Sequence, residues 1–406
     1  MTMSSWERLW VGMRGRLVRI TTGGEYLPEV DGVRFLAISL VLLQHMYERV
    51  SRRAEGIFAA ATGEDPGWWF LRGDLGVQLF FALSGFILFR GLAQTAATGT
   101  GWAEGYRRYL FRRLTRLEPP YLLVTLGIFG FLALTGYQSG FSRSSQQGGQ
   151  TLLQSLGASL IYSHTLLFGS YPKLNPPTWS LETEFQFYLF APWVVWPLRR
   201  WLGTRLPRLI VLALSIAGAG LFLVPHALAG EHWSHSAVAY LPLFLAGFAA
   251  GELHEWNLQS RMFPRTRGVV LDLLGVVAGG VLLRVAYNDP ASGGVVGYAL
   301  WIMILLLGCT GGTWLRRILG WGFIPVIGGM CYSLYLIHLP FLEMAASATR
   351  SIGRQWSYPA FVAVQGTLLL GSTLAVAAAF YVLVERPCMD RRWPNRIWAW
   401  CRRLPA

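Results

Sequence analysis

The sequence is poor in charged residues and in cysteine, and it almost lacks lysine. Only 14% of its 406 residues are charged and 53% are hydrophobic, and a mean hydropathy of +0.40 excludes a disordered chain and argues against an ordinary soluble domain. The four cysteines show no CxxC or Cys/His spacing, so we predict neither a disulfide framework nor a metal site, and expect the cysteines to pack between helices. Lys173 is the single lysine. Nearly all of the positive charge is therefore guanidinium, the cation best suited to bidentate phosphate contacts.

Apolar and aromatic residues are abundant and occur in long runs. The chain holds 18 Trp, 16 Tyr and 23 Phe, a composition typical of proteins with aromatic belts at both membrane interfaces. A helix crosses the hydrocarbon core with about 20 apolar residues. Ten segments approach or reach this length: 33–50, 75–92, 119–137, 180–198, 207–229, 237–254, 268–287, 295–314, 321–344 and 360–384. We therefore predict an all-α fold, a polytopic membrane helix bundle with about ten transmembrane helices.

The basic residues gather in alternate loops of this arrangement. Placing both termini in the cytoplasm puts most of the 35 Lys and Arg residues on the cytoplasmic side, as the positive-inside rule requires. Residues 151–169 are too polar for a further span, and we predict an interfacial or re-entrant helix at the outer face. The predicted organisation is a cytoplasmic N-terminal segment (1–32), a transmembrane domain (33–386) and a cytoplasmic tail (387–406).

The first span carries two ionisable residues, Arg34 and His45. Because 11 helical residues turn the chain by slightly more than three full turns, the two side chains share one helix face and lie about 16 Å apart along the axis. Ionisable groups are expensive in a bilayer, and imidazole can take and return a proton near neutral pH. We predict that His45 is a catalytic base. The alternative is that Arg34 reaches the headgroups and His45 bonds a neighbouring helix.

A dense arginine cluster follows the second span. It contains Arg107, Arg108, Arg112, Arg113 and Arg116, and Arg90 ends the preceding span on the same side of the membrane. On a helix, Arg112, Arg113 and Arg116 fall on one flank. The cluster can bind a polyanion from the cytoplasm, or it can merely set topology and contact anionic lipid.

The fourth and ninth spans carry the other polar candidates. Glu182 and Glu184 open the fourth span and point about 200° apart, so we expect only one of them to face the interior. It could stabilise a protonated His45 or bind an acceptor hydroxyl, whereas the other compensates a helix N-terminus. The ninth span holds Tyr332, Ser333, Tyr335 and His338, which either support the site or bond neighbouring helices.

Seven segments in order resemble the acyltransferase 3 family of membrane acyltransferases. The similarity extends over about residues 31–387 and includes the family's arrangement of a basic residue, ten residues and a histidine, which Arg34 and His45 reproduce. The segments are DGVRFLAISLVLLQH, GVQLFFALSGFIL, FRRLTRLEPPY, PPTWSLETEFQFYLF, YLPLFLAGFAAGEL, GGMCYSLYLIHLPF and LVERP.

The resemblance implies transfer of an acyl group, usually acetyl, from cytoplasmic acyl-CoA to a hydroxyl of a sugar-containing acceptor, often at the outer face of the inner membrane. The family's pattern implies that the histidine at position 45 is the base, and Glu184 aligns with its WSLxxE-like motif. Glu182 and Phe185 depart from that pattern, since the family often has a small polar residue and a second acidic residue there. The resemblance further implies that CoA phosphates are held by Arg34, Arg112, Arg113 and Arg116.

A mechanism consistent with these residues needs no permanently bound cofactor, and acetyl-CoA or another acyl-CoA serves as co-substrate. His45, supported by Glu184, deprotonates the acceptor hydroxyl, which attacks the thioester directly or through an acyl-histidine. Ser84, Tyr332 and the backbone at Gly85 are candidate oxyanion donors. The expected partners are acyl-CoA, a glycan, glycolipid or glycosylated small molecule, and membrane lipids, with no role for nucleic acid.

Two other classes of membrane protein compete with this hypothesis. A transporter also needs many spans and interior charges, and a flippase-like partner of a glycan pathway would carry out no chemistry. The spans show no inverted repeat, and the charges grade from arginines on one side to a histidine and carboxylates on the other. This asymmetry favours an enzyme. The preference for Arg over Lys is typical of a high-GC bacterial genome, and the resemblance implies the bacterial cytoplasmic (inner) membrane.

Overall fold

The computed structural model describes residues 26–58, 72–97, 101–137, 149–260, 265–349, 351–353 and 355–390, together with residues 17, 19, 20 and 393. Most of the predicted N-terminal segment and C-terminal tail, and Cys401, lie outside the described residues. Within those ranges all regular structure is helical, which confirms the predicted all-α class.

The chain forms a succession of helices joined by short connections. We number them α1 (Pro28–Phe58), α2 (Gly73–Ala97), α3 (Trp102–Thr135), α4 (Leu152–Leu160), α5 (His164–Phe168), α6 (Trp179–Trp201), α7 (Arg205–Gly218), α8 (Val224–Ala229), α9 (Leu241–Ser260), α10 (Arg265–Leu282), α11 (Gly294–Gly311), α12 (Trp314–Leu319), α13 (Ile324–Gly329), α14 (Cys331–Ala348), α15 (Tyr358–Phe380) and α16 (Arg386–Cys388). A π-helical turn, Ala219–Leu223, joins α7 to α8, and another, Tyr381–Glu385, joins α15 to α16.

Each of the ten predicted segments coincides with one of these helices or with two consecutive ones. Six helical stretches of the described chain are long and apolar enough to cross a membrane: Pro28–Val50, Gly73–Leu92, Trp102–Thr135, Arg205–Ala229, Gly294–Gly311 and Tyr358–Cys388. The predicted segment 151–169 forms the short helices α4 and α5 and the turn between them.

The centre of the bundle is built from α1, α2 and α9, and α2 packs against both of the others. Two glycines allow α2 and α9 to approach each other closely. A Cβ added to Gly247 would lie 2.0 Å from the Ala82 carbonyl oxygen, and one added to Gly85 would lie 2.2 Å from that of Phe244. The backbones of α2 and α9 are therefore in direct contact, because glycine leaves no side chain between them.

The long helix α3 lies at the periphery. It runs unbroken through Pro119 and Pro120, so the arginine cluster predicted to precede the third span is the first half of the same helix. Only 17% of its most apolar 18-residue stretch is buried, and Leu134 is 89% exposed. One face of α3 therefore contacts the bundle, and the opposite face is available to lipid.

Candidate active site

A cavity opens among α1, α2, α3, α6 and α14, and we call it the arginine cavity. Arginines from three separate parts of the chain converge on it, and hydroxyl and carboxylate groups line the rest. The polar residues that define it are Arg19, Arg34, Ser84, Arg113, Arg116, Ser180, Glu184, Tyr188, Tyr332 and Tyr335.

The four arginines are held in different ways. Arg34 and Arg19 both donate to Asp31, and the Arg19 contact is 3.2 Å. Burial, together with the neighbouring Arg116 and Arg34, lowers the pKa of the Arg19 guanidinium below its ordinary value. Arg113 lies over the Tyr188 ring at 5.0 Å, a cation–π contact that leaves its N–H groups available.

Arg116 has an incomplete set of partners. Its Nε is buried with no hydrogen-bond partner among the described residues, although Glu385 attracts the guanidinium electrostatically. A buried guanidinium donor without a partner is costly. The cavity is therefore suited to an anion with several oxygens.

Glu184 lies in the arginine cavity, where it accepts hydrogen bonds from Ser84 and Tyr188. Tyr332 donates to the Leu117 carbonyl at 2.8 Å. Both hydroxyls proposed as oxyanion donors therefore already have acceptors within the protein. The backbone at Gly85 is packed against α9, which gives this glycine a structural role.

Two predicted phosphate-binding arginines lie elsewhere. Arg112 is exposed and its Nε donates to the Arg108 carbonyl at 3.1 Å. It stands 100° around the helix from Arg113, so α3 turns it toward solvent. Arg90 lies over the Phe86 ring at 5.8 Å and does not border the arginine cavity as defined.

The expectation that only one of the two α6 glutamates faces the interior is wrong. Glu182 is fully buried on the other side of α6 and accepts from the Thr165 N–H at 3.1 Å. The two carboxylates do point apart, as their spacing requires, but protein covers both sides of the helix. Glu182 thus fixes the start of α5 against α6.

His45 and His338 form a pair beyond the arginine cavity, with ring centroids 5.3 Å apart. His338 is fully buried, and its Nδ1 lies 2.7 Å from the Tyr335 carbonyl oxygen and 3.1 Å from that of Leu334. Since carbonyls only accept, Nδ1 carries the proton. The Nε2 of His338 is then a lone-pair acceptor, buried without a partner in the described chain.

The carboxylate within hydrogen-bonding distance of His45 is Glu48, which sequence reasoning missed. Its Oε2 lies 3.3 Å from the His45 Nδ1, and Gln44 donates to its Oε1 at 2.9 Å. An acceptor at Nδ1 favours the tautomer in which Nε2 carries the lone pair, the arrangement that the carboxylate gives the histidine of hydrolase triads. The i, i+3 spacing of His45 and Glu48 on one helix was a signal available in the sequence.

The arginine cavity and the histidine pair meet along α14. Arg34 and Cys331 line the cavity together, His45 faces His338, and Tyr335, whose ring lies 6.3 Å from that of His338, borders the cavity between them. Arg34 and His45 therefore both face α14, in agreement with the shared helix face predicted from their spacing. The arrangement can bind an anion at one end and move a proton at the other.

These features define a helical multi-pass membrane protein with an arginine-lined cavity and a pair of histidines beyond it. The chain belongs to the acyltransferase 3 family, whose model, described as an acyltransferase domain, matches residues 27–382. It is a membrane acyltransferase, and the comparisons do not favour the transporter alternative.

Three relatives illustrate the similarity. A membrane-bound transacylase of Komagataeibacter xylinus is 27% identical over 89% of this chain and 83% of its own length. An acyltransferase of Streptomyces mycarofaciens is 26% identical over 89% of this chain and 92% of its own. A peptidoglycan O-acetyltransferase of Listeria monocytogenes is 23% identical over 79% of this chain and 50% of its own. No solved structure matches the chain.

Proposed function

We propose that the protein transfers an acyl group, most simply acetyl, from cytoplasmic acyl-CoA to a hydroxyl of a sugar-containing acceptor at the outer face of a bacterial cytoplasmic membrane. The observation that carries the proposal is the position of Tyr335 on α14, which borders the arginine cavity while its ring lies 6.3 Å from that of His338, the neighbour of His45. The sugar-containing acceptor is supported by the named activity of the Listeria relative on peptidoglycan. Its outward location is supported by the distribution of basic residues.

The donor is proposed to bind with its phosphates in the arginine cavity. Arg116 has a buried donor with no hydrogen-bond partner in the described chain, and Arg113 lies over the rings of Tyr109 and Tyr188, so both are prepared for phosphate oxygens. Arg34 and Arg19 share Asp31 and supply further charge at the same place. The thin pantetheine arm of CoA then extends past Tyr335 toward His45.

His45 is proposed to act as the base. The acceptor oxygen forms a bond to the thioester carbonyl carbon while its proton passes to the Nε2 of His45. The carbon–sulfur bond then breaks, and the departing CoA sulfur takes the proton from the Nε2 of His45. Glu48 holds the imidazole by its Nδ1 and stabilises the imidazolium that forms between the two steps. In this direct route no acyl group resides on the protein.

The test compares wild type with His45→Ala in nanodiscs supplied with radiolabelled acetyl-CoA. We expect CoA release and label transfer to a membrane glycan fraction to fall to background, while bound acetyl-CoA, measured by filtration, stays within twofold. His226→Ala is the matched control, because His226 is an exposed histidine that bonds the Phe222 carbonyl of its own helix region at 2.7 Å. Loss of activity in the control, or full activity in His45→Ala, would contradict the assignment.

A further inference from the structure

A second cavity, with a volume of about 310 Å³, lies on the other side of the histidine pair. We call it the lateral cavity. Its walls come from the second half of α3, the segment 173–176 before α6, the part of α14 beyond His338, and Arg49 of α1. The volume is at the lower end of the range of about 300–1,000 Å³ found for small-molecule sites.

Part of the lining of the lateral cavity is polar. Arg49, which is 3% exposed, pairs with Glu343 at 2.6 Å. Asn175 is 2% exposed, and its Nδ2 donates to the Leu336 carbonyl at 2.9 Å. Its Oδ1 is buried with no hydrogen-bond partner among the described residues. An unsatisfied buried acceptor is unfavourable unless a donor completes it, and a sugar hydroxyl is such a donor.

The rest of the lining is mostly apolar, with Tyr137 and Lys173 as its polar members, and part of it is exposed at the side of the bundle. Phe131 and Met344 line the cavity and are nevertheless 44% and 59% exposed, so they stand at its mouth. The exposed face of α3 continues from this mouth. A ligand with an apolar extension can therefore leave the cavity directly into lipid.

The position of the lateral cavity relates it to the chemistry. Leu339 and Pro340, which directly follow His338, form part of its wall, and Arg49 lies about one helical turn beyond His45. Tyr335, about one turn before His338, borders the arginine cavity. The histidine pair thus lies between the two cavities, where two substrates approaching from opposite ends would meet.

We propose that the lateral cavity binds the acceptor, and that the acceptor is an amphiphilic glycoside, a sugar attached to an apolar carrier. The sugar lies against Asn175 and the Arg49–Glu343 pair, and the carrier passes Phe131 and Met344 into the lipid. The proposal rests on the proposed acyl transfer and adds the carrier and the residues that recognise it. A water-soluble polysaccharide without an apolar carrier would gain no binding energy from the apolar residues at the mouth of the cavity.

Two glycines of α3 provide a matched test. Gly127 lines the lateral cavity, and a Cβ added there meets nothing within 4 Å. A side chain introduced at this position therefore begins in open space beside the cavity. Gly130 also has nothing within 4 Å of an added Cβ, but it is not among the lining residues. Gly127→Trp should block the site and Gly130→Trp should not.

The experiment uses the whole protein in nanodiscs and a decyl β-glucoside that carries a photoreactive diazirine in its alkyl chain. Cross-linked peptides are identified by mass spectrometry. We expect labelling near Phe131 and Met344 that unlabelled decyl glucoside competes away and that decanol and methyl glucoside do not. Gly127→Trp should reduce it at least tenfold, Gly127→Leu by less, and Gly130→Trp by less than twofold.

Labelling unchanged in Gly127→Trp, or competition by decanol as effective as that by the glucoside, would overturn the proposal, since the surface would then be an ordinary lipid contact. Because labelling needs no acyl-CoA, it is independent of turnover. If the protein labels in a way that depends on Gly127 but transfers no acyl group, the proposed function is overturned and the glycoside site stands.

Discussion

Replacing Glu48 with glutamine tests whether His45 acts as a base that a carboxylate holds in place. The substitution keeps the size of the side chain and an oxygen for Gln44, but it removes the negative charge and can present an amide N–H to the His45 Nδ1. A hydrogen bond between charged groups contributes about 1.5–3 kcal/mol, and each 1.36 kcal/mol of barrier is about tenfold in rate. Because the Glu48 side chain is 27% exposed and its contact with His45 is 3.3 Å long, we expect kcat to fall about 10- to 100-fold, below the 10⁴-fold typical of a fully buried triad carboxylate.

The assay is CoA release by the purified protein in nanodiscs at saturating acetyl-CoA, with acetyl-CoA binding measured separately. Binding should remain within twofold of wild type, because Glu48 lies beyond the arginine cavity. Glu104→Gln is the matched control, since Glu104 is 65% exposed and forms its ion pair with the exposed Arg108 on the same helix, an interaction of little energetic value. A kcat loss below twofold in Glu48→Gln, or an equal loss in the control, would refute the role given to Glu48.

Three further variants test other parts of the structure. Arg116→Gln should raise KM for acetyl-CoA about tenfold or more and leave KM for acetyl-pantetheine, which lacks the nucleotide phosphates, unchanged, whereas Arg112→Gln should change neither. Gly247→Leu should lower thermal stability in detergent by about 1–3 kcal/mol, the usual cost of overpacking, while Gly371→Leu, where an added Cβ meets nothing within 4 Å, should not. His338→Phe keeps a ring against His45 but removes the buried Nε2; kcat should fall at least tenfold with normal acetyl-CoA binding, and unchanged kcat would show that the second imidazole serves only packing.

Local periodicity was sufficient for the helices and for part of the site. The ten predicted segments coincide with helices because long apolar runs have few alternatives in a membrane. The shared face of Arg34 and His45 followed from helical spacing alone. Glu48 could have been found by the same reasoning, since it lies three residues from His45.

The remainder of the site depends on contacts between distant parts of the chain. Ser84 donates to a carboxylate 100 residues away, and Arg19 reaches the arginine cavity from outside the helices that build it. The burial of Glu182 depends on α5 packing against α6, and no spacing rule contains that information. Helical spacing also grouped Arg112 with Arg113 and Arg116. Spacing within one helix could not show which part of the α3 surface α6 and α14 would cover.

The continuous helix α3 has a consequence for the coupling of the two substrates. Its 34 residues extend for about 51 Å at 1.5 Å per residue. Arg113 and Arg116 line the arginine cavity from its first half, and Gly127 and Phe131 line the lateral cavity from its second half. Because one helix contributes to both walls, a movement of α3 at one cavity is transmitted to the other. We therefore expect donor and acceptor affinities to be linked, each ligand changing the dissociation constant of the other by the same factor.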